Sequence, residues 1–206
     1  MKKILLILCV FLLCSCETKE ISSHQLVERQ GIYYEINSEV PFNGRVIDTN
    51  ENGQIESTVS YKDGKQNGPS ESYHWNGQLK KKYSYKDGKA DGPCERYHWN
   101  GQLNMKYSYK DGEEDGPLEM FNEIGHLEMK GSYKNGKEDG TWESYHANGQ
   151  LKSKGSFKDG KFDGTWEYYH DNGQLQSKGF YKDGKEDGPY ENYYENGQLY
   201  SMTSYK

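Results

Sequence analysis

This chain repeats itself every 24 residues, and that period limits what it can fold into more than any other feature does. Asn-Gly-Gln-Leu begins at Asn76, Asn100, Asn148, Asn172 and Asn196, and Asn52-Gly53-Gln54-Ile55 and Ile124-Gly125-His126-Leu127 stand in the same phase. A second signal, Lys-Asp-Gly-Lys, surrounds Gly64, Gly88, Gly160 and Gly184, with variants at Gly112 and Gly136. A third, Asn-Gly or Asp-Gly, falls at Gly44, Gly68, Gly92, Gly116, Gly140, Gly164 and Gly188. These positions hold all but four of the 24 glycines, so glycine here marks regular chain reversals and not flexible linker. Asn-Gly and Asp-Gly accept positive φ and favour hairpin turns. The runs between them alternate with period two, as in Leu103-Asn104-Met105-Lys106-Tyr107-Ser108-Tyr109. Each unit therefore reads as strand, tight Asn-Gly turn, strand, wider turn. The expected fold is all-β: an elongated single-layer antiparallel meander of hairpin units.

A two-residue Asn-Gly turn fixes a register that the sequence itself tests. It sets Glu71 opposite Lys82, Glu95 opposite Lys106, Glu119 opposite Lys130, Glu143 opposite Lys154 and Glu167 opposite Lys178. Opposite charges across strands are favourable. Only Glu191, opposite Met202, departs. On the other face the same register sets Trp142 against Gly155, Trp166 against Gly179, Ser70 against Tyr83 and Cys94 against Tyr107, large against small each time. One face then carries the Glu/Lys pairs with Tyr73, Tyr97, Phe121, Tyr145, Tyr169 and Tyr193. The other carries a leucine row and an aromatic stripe. Only 32% of residues are hydrophobic and mean hydropathy is -1.14, values that alone suggest disorder, yet the chain holds 19 Tyr, 6 Phe and 4 Trp. Stacked aromatics, not a thick aliphatic core, are expected to hold the sheet.

The repeats resemble the MORN-repeat variant found in bacterial antitoxin-like proteins of the YwqK family. The resemblance rests on units such as Asp163-Gly-Thr-Trp-Glu-Tyr-Tyr-His-Asp-Asn-Gly-Gln-Leu-Gln-Ser-Lys-Gly-Phe-Tyr-Lys-Asp-Gly-Lys185, and on Tyr33-Tyr34 and Pro41-Phe42-Asn43-Gly44 at the start. It covers roughly residues 29–206 in seven units. It implies a long, twisted single-layer sheet without catalytic residues, and the family name implies neutralisation of a partner toxin.

Ahead of the repeats, Lys2 and Lys3 precede an apolar run from Ile4 to Leu13 that ends in Leu13-Cys14-Ser15-Cys16. The run suits a signal peptide and is short for a membrane span. Its end resembles the bacterial lipobox, which implies cleavage after Ser15 and acylation of Cys16; the alternative is a plain secretory signal with coincidental cysteines. Residue 17 is Glu, not Asp, so the best-known signal for inner-membrane retention is missing. The expected organisation is a signal peptide at 1–15, a lipidated polar tether and capping hairpin at 16–42, and seven units at 43–206, the last truncated. The expected location is the cell envelope, lipid-anchored, at the outer membrane or cell surface in a Gram-negative organism. Cys94 is the one thiol left in the mature chain and reads as a small packed side chain.

Chemistry is harder to place in such a frame. His74, His98, His146 and His170 recur at one repeat position, and so do Glu71, Glu95, Glu119, Glu143, Glu167 and Glu191. With two strands per unit, each row steps by about 10 Å. A zinc ion needs ligands about 2 Å away, and a catalytic acid needs a pocket that raises its pKa. No catalytic residue, metal site or cofactor is therefore expected. Net charge is -6, falling to -8 once Met1–Ser15 is removed, which argues against nucleic acid. The candidate binding stripe is Tyr85, Tyr109, Tyr133, Trp142, Phe157, Trp166 and Tyr181. The expected function is a membrane-anchored, non-catalytic scaffold that binds a protein partner, with a cognate toxin as one form of it. The alternative is an envelope protein that binds polysaccharide through its aromatic stripe.

Overall fold

The computed structural model describes residues 18–206, so the signal peptide and the Cys16 acylation site lie outside the described residues. Nearly all regular structure is β, apart from one short 3-10 turn at Ser23–Gln25. From Gly44–Thr49 onward each strand pairs antiparallel with the next, through Ile55–Lys62, Lys65–Tyr73 and Leu79–Lys86 to Lys185–Tyr193 and Leu199–Tyr205. The result is one open sheet that advances by about 10 Å per unit. The expected register holds throughout. Glu71 faces Lys82, Glu95 faces Lys106, Trp142 faces Gly155 and Trp166 faces Gly179.

The turns that produce this register are the reverse of those expected. Lys-Asp-Gly-Lys is the tight one. Asp87 (φ 51°) and Gly88 (φ 86°) both take the left-handed conformation between paired Lys86 and Lys89, as a two-residue type I′ turn needs. The Asn-Gly loop is longer. The His74 amide donates to the Gln78 carbonyl (2.7 Å) and Gly77 to His74 (2.8 Å), and a bulge between Ser72 and Tyr73 restores the phase. A type I turn followed by a left-handed glycine has this form. Asn76 does not turn the chain in the way its partner glycine does. Its carboxamide is used elsewhere, accepting from the Gln78 amide and donating to the Trp99 carbonyl.

The third glycine is not a reversal at all. Lys89–Ala90 and Gly92–Tyr97 pair with the same strand, Leu79–Lys86, so Asp91-Gly92 is a bulge within one strand. Gly92 has φ 101°, and the Ser84 hydroxyl donates to the Asp91 carbonyl and pins the bulge. Ser108 and Asp115, and Ser132 and Asp139, repeat the contact.

The start of the described chain also departs from expectation. The segment read as a tether is folded. Glu20–Ile21 adds a parallel strand to Gly44–Thr49, and Ile21 is buried with Phe42 and Val46. Asp48 accepts from Ser22 and Ser23. A polar composition concealed one apolar residue with a place to go. The hairpin at this end is Leu26–Arg29 with Ile32–Glu35, and not residues 31–34 with residues 41–44, which meet only in a bridge between Tyr34 and Pro41; it is tied to the first tight turn by Tyr33 donating to the Gly64 carbonyl and Gly64 to that of Phe42. The first edge of the sheet is therefore covered.

Candidate functional site

The buried row is built from one repeat position and its two neighbours. Ser70, Cys94, Leu118, Trp142, Trp166 and Tyr190 stand in equivalent places, alternating across the sheet with Tyr83, Tyr107, Gly131, Gly155 and Gly179. Bulk changes sides along the array. In the early units it belongs to Tyr83 and Tyr107, which flank a fully buried Cys94. After Leu118 it passes to Trp142, Trp166 and Tyr190. These rings lie over the glycine of the preceding strand: a Cβ on Gly131 would fall 2.2 Å from Trp142, one on Gly155 2.0 Å from Trp166, and one on Gly179 2.5 Å from Tyr190. Trp142 is therefore flanked by two glycines, and its indole covers Gly131 and not the Gly155 of its own hairpin.

All seven stripe residues share this face. Trp142 and Trp166 are core, each less than a tenth exposed, while Tyr85, Tyr109, Tyr133, Phe157 and Tyr181 are half-buried beside them. The rings meet edge to face. Tyr133 and Trp142 are 5.4 Å apart at 90°, and Phe157 and Trp166 are 5.2 Å apart at 85°. Such pairs add about 0.5–1.5 kcal/mol beyond burial. Between them lies a groove of about 410 Å³, lined by Met129, Tyr133, Trp142, Phe157, Phe162 and Tyr168 among others. Met129, Phe162 and Tyr168 were not singled out in the sequence. Phe162 was the detectable one, because it occupies the position of Gln66, Ala90, Glu114, Glu138 and Glu186.

The opposite face is a continuous charge row and not a set of separate pairs. Each lysine lies between two glutamates: Lys82 faces Glu71 on one side and Glu95 on the other, and Lys130 faces Glu119 and Glu143. Glu143 accepts from Lys130 (2.8 Å), Lys154 (3.2 Å) and the Tyr145 hydroxyl (2.6 Å). Those donors, Lys130 first, hold its carboxyl down at about 2. Because the folded value lies below the ordinary 4.5, the stabilisation is present above that pH and is lost as pH falls toward 2. Protection of the Leu127–Lys158 amides, taken relative to their intrinsic exchange rates, should fall across that window in the native chain, and less so in Glu143→Gln. An equal response in both would remove Glu143 as the cause. Tyr73, Tyr97, Tyr169 and Tyr193 likewise donate to the glutamate two residues before them, and for Tyr97 that bond to Glu95 pushes the phenol up to about 12.

The recurring histidines join one loop to the next. His74 Nε2 donates to the Tyr97 carbonyl (2.9 Å), His98 to Phe121, His146 to Tyr169 and His170 to Tyr193. Asn76, Asn100, Asn148 and Asn172 make parallel bonds to Trp99, Glu123, Asp171 and Glu195. Each loop therefore grips the next through two side chains. Asn122-Glu123-Ile124-Gly125-His126 departs from this pattern. Asn122 replaces the histidine and accepts from the Ile124 and His126 amides of its own loop. Among the described residues no three His, Cys, Asp or Glu side chains converge as a metal site would require.

The MORN repeat variant model matches residues 66–87, 90–111, 138–159, 162–183 and 186–206. It passes over 112–137, the stretch that holds both the odd loop and Leu118, where bulk changes sides. No curated protein matches the chain. Among solved structures, the GtfA/B complex bound to UDP and GlcNAc is similar at 15% identity over 75% of this chain and 28% of that one, with a TM-score of 0.22. The chain thus spans little more than a quarter of that structure, and a likeness this weak bears on neither fold nor ligand. The family model covers more than half of the chain, in phase with hairpins, bulges and locks that recur at the same spacing, and the chain belongs to the MORN repeat variant family.

Proposed function

We propose that the array is a non-catalytic docking platform for a protein partner, held at a membrane of the cell envelope by acyl chains on Cys16. The observation that carries this reading is the aromatic groove between Met129 and Tyr168, on a sheet whose other face carries a row of alternating lysine and glutamate with ion pairs from Lys106 to Lys178. Aromatic side chains are the usual anchors of protein interfaces. A toxin neutralised by the platform is the form of partner that the resemblance to antitoxin-like proteins supports. Polysaccharide has less support, because sugars stack on open ring faces and Trp142 and Trp166 offer almost none.

The test uses the full chain in mild detergent as bait in native envelope extract. The expected result is one protein captured at equal stoichiometry. Binding should weaken by about tenfold for each of Tyr133→Ser and Tyr168→Ser, with the sheet intact by circular dichroism. The mass of the bait's N-terminal peptide reports acylation of Cys16 in the same preparation. A captured protein indifferent to both substitutions would move docking off this face, and an unmodified Cys16 would remove the anchor.

A further inference from the structure

The two ends of the sheet are finished differently. The Gly44–Thr49 end is covered by Glu20–Ile21 and by the hairpin that follows. At the other end, Leu199–Tyr205 pairs with Lys185–Tyr193 on one side, and among the described residues nothing pairs with its outer side. Exposed edges are ordinarily guarded by lysine, proline or a bulge, since their free N–H and C=O groups are a template for another strand. This edge reverses the rule. Met202 stands where the inner units carry Lys82, Lys106, Lys130, Lys154 and Lys178. Tyr200 stands where they carry Lys80, Asn104, Glu128, Lys152 and Gln176. The strand Leu-Tyr-Ser-Met-Thr-Ser-Tyr holds no charge and no proline. Met202 is 63% exposed and Tyr200 54%.

A further apolar change lies on the same face two strands inward, on Leu175–Lys182. Phe180 replaces the serine found at Ser60, Ser84, Ser108, Ser132, Ser156 and Ser204. Tyr194 replaces the locking histidine and stacks on Tyr200 at 4.6 Å. The last two units thus carry Phe180, Tyr194, Tyr200 and Met202 where the earlier units carry polar side chains.

We propose that this edge joins a second copy of the chain. The two Leu199–Tyr205 strands pair antiparallel about Met202, and the sheet continues through a two-fold axis normal to its surface. The occupant follows from charge. Two-fold pairing about this position sets residue 202 against itself, at a cross-strand distance of about 5 Å. A lysine there, as in the inner units, would oppose two like charges; methionine opposes two apolar chains. The same register sets Ser201 against Thr203, large Tyr200 against small Ser204, and Leu199 against Tyr205. Each copy keeps its aromatic face on the same side, so the aromatic faces of both copies form one continuous surface. The pairing uses the edge alone and does not depend on what the aromatic face binds.

The test is sedimentation velocity of the full chain in density-matched detergent over a range of concentrations, with hydrogen exchange read at Leu199–Tyr205. The expected result is a dimer whose exchange in this strand slows as concentration rises. Met202→Lys restores the guarding charge at an exposed site and should weaken the dimer by about tenfold or more, leaving the circular dichroism spectrum unchanged. A native chain that stays monomeric with fast exchange in this strand overturns the proposal, and so does a dimer that Met202→Lys leaves intact.

Discussion

Gly155→Ala should destabilise the array by about 2 kcal/mol, whereas in a Trp166→Ala background the same change should cost nothing and even stabilise slightly. The backbone at Gly155 is not in the left-handed region, so alanine meets no conformational objection. The obstacle is contact alone, a Cβ placed 2.0 Å from the Trp166 ring. That ring cannot swing aside, because Phe157 and Phe162 hold it at 5.2 and 4.6 Å. Trp166→Ala by itself should cost about 3–5 kcal/mol, as truncation of a buried aromatic does. Once the ring is gone, the methyl at 155 fills part of the space left, and alanine also lowers the entropy of the unfolded chain. The cycle is read by urea unfolding together with hydrogen exchange over Leu151–Lys182, since units of an array can open locally. Additive costs in the double variant would mean that ring and glycine are not coupled.

The second large effect lies in the earlier units. Cys94→Trp should destabilise the sheet by about 3 kcal/mol and loosen Leu79–Lys110 before the rest. Tryptophan is the natural occupant of this repeat position at 142 and 166, so neither local propensity nor exposure opposes it. What it lacks is the glycine beneath. Cys94 is fully buried between Tyr83 and Tyr107, and an indole placed there as in the later units would lie on Tyr83. Adding Tyr83→Gly should return part of the loss, since the pair then copies the arrangement of Gly131 with Trp142. Exchange of the Leu79–Lys110 amides in the single and double variants decides it. Failure of Tyr83→Gly to restore any protection would show that the two halves of the ladder are not interchangeable.

Much of this was legible in the sequence, because a repeat reports its own register many times over. Glu71 with Lys82 and its four counterparts support the strand pairing independently of the turn, so the register holds although the turn assumed to produce it does not. The turns were misassigned because Asn-Gly and Asp-Gly carry the same local preference for positive φ. What separates them is the use of the Asn side chain between loops, which no single unit displays. The bulge at Asp91-Gly92 was hidden for a similar reason, since a glycine within a strand and a glycine in a turn look alike until the partner strand is placed. The charge row was half read, because a hairpin shows each lysine one neighbour while a sheet gives it two. Ile21 was lost in a polar segment. The aromatic stripe was placed on the correct face, but its two tryptophans proved to be core. Burial depends on what lies across the next strand, and that was visible only as the glycines at 131 and 155.

The grip of each loop on its successor has a consequence for how such a chain changes over generations. The donor is always offered in the same direction, and it finds the same carbonyl 23 residues later. Duplication or loss of one whole unit leaves every donor facing an acceptor of the same kind, whereas a single-residue insertion within a unit misaligns two loops and inverts the faces of a strand. The molecule is therefore a ruler whose gradations are fixed and whose length is free. Its reach can be reset by copy number alone, in steps of about 10 Å, with no new interaction having to be invented.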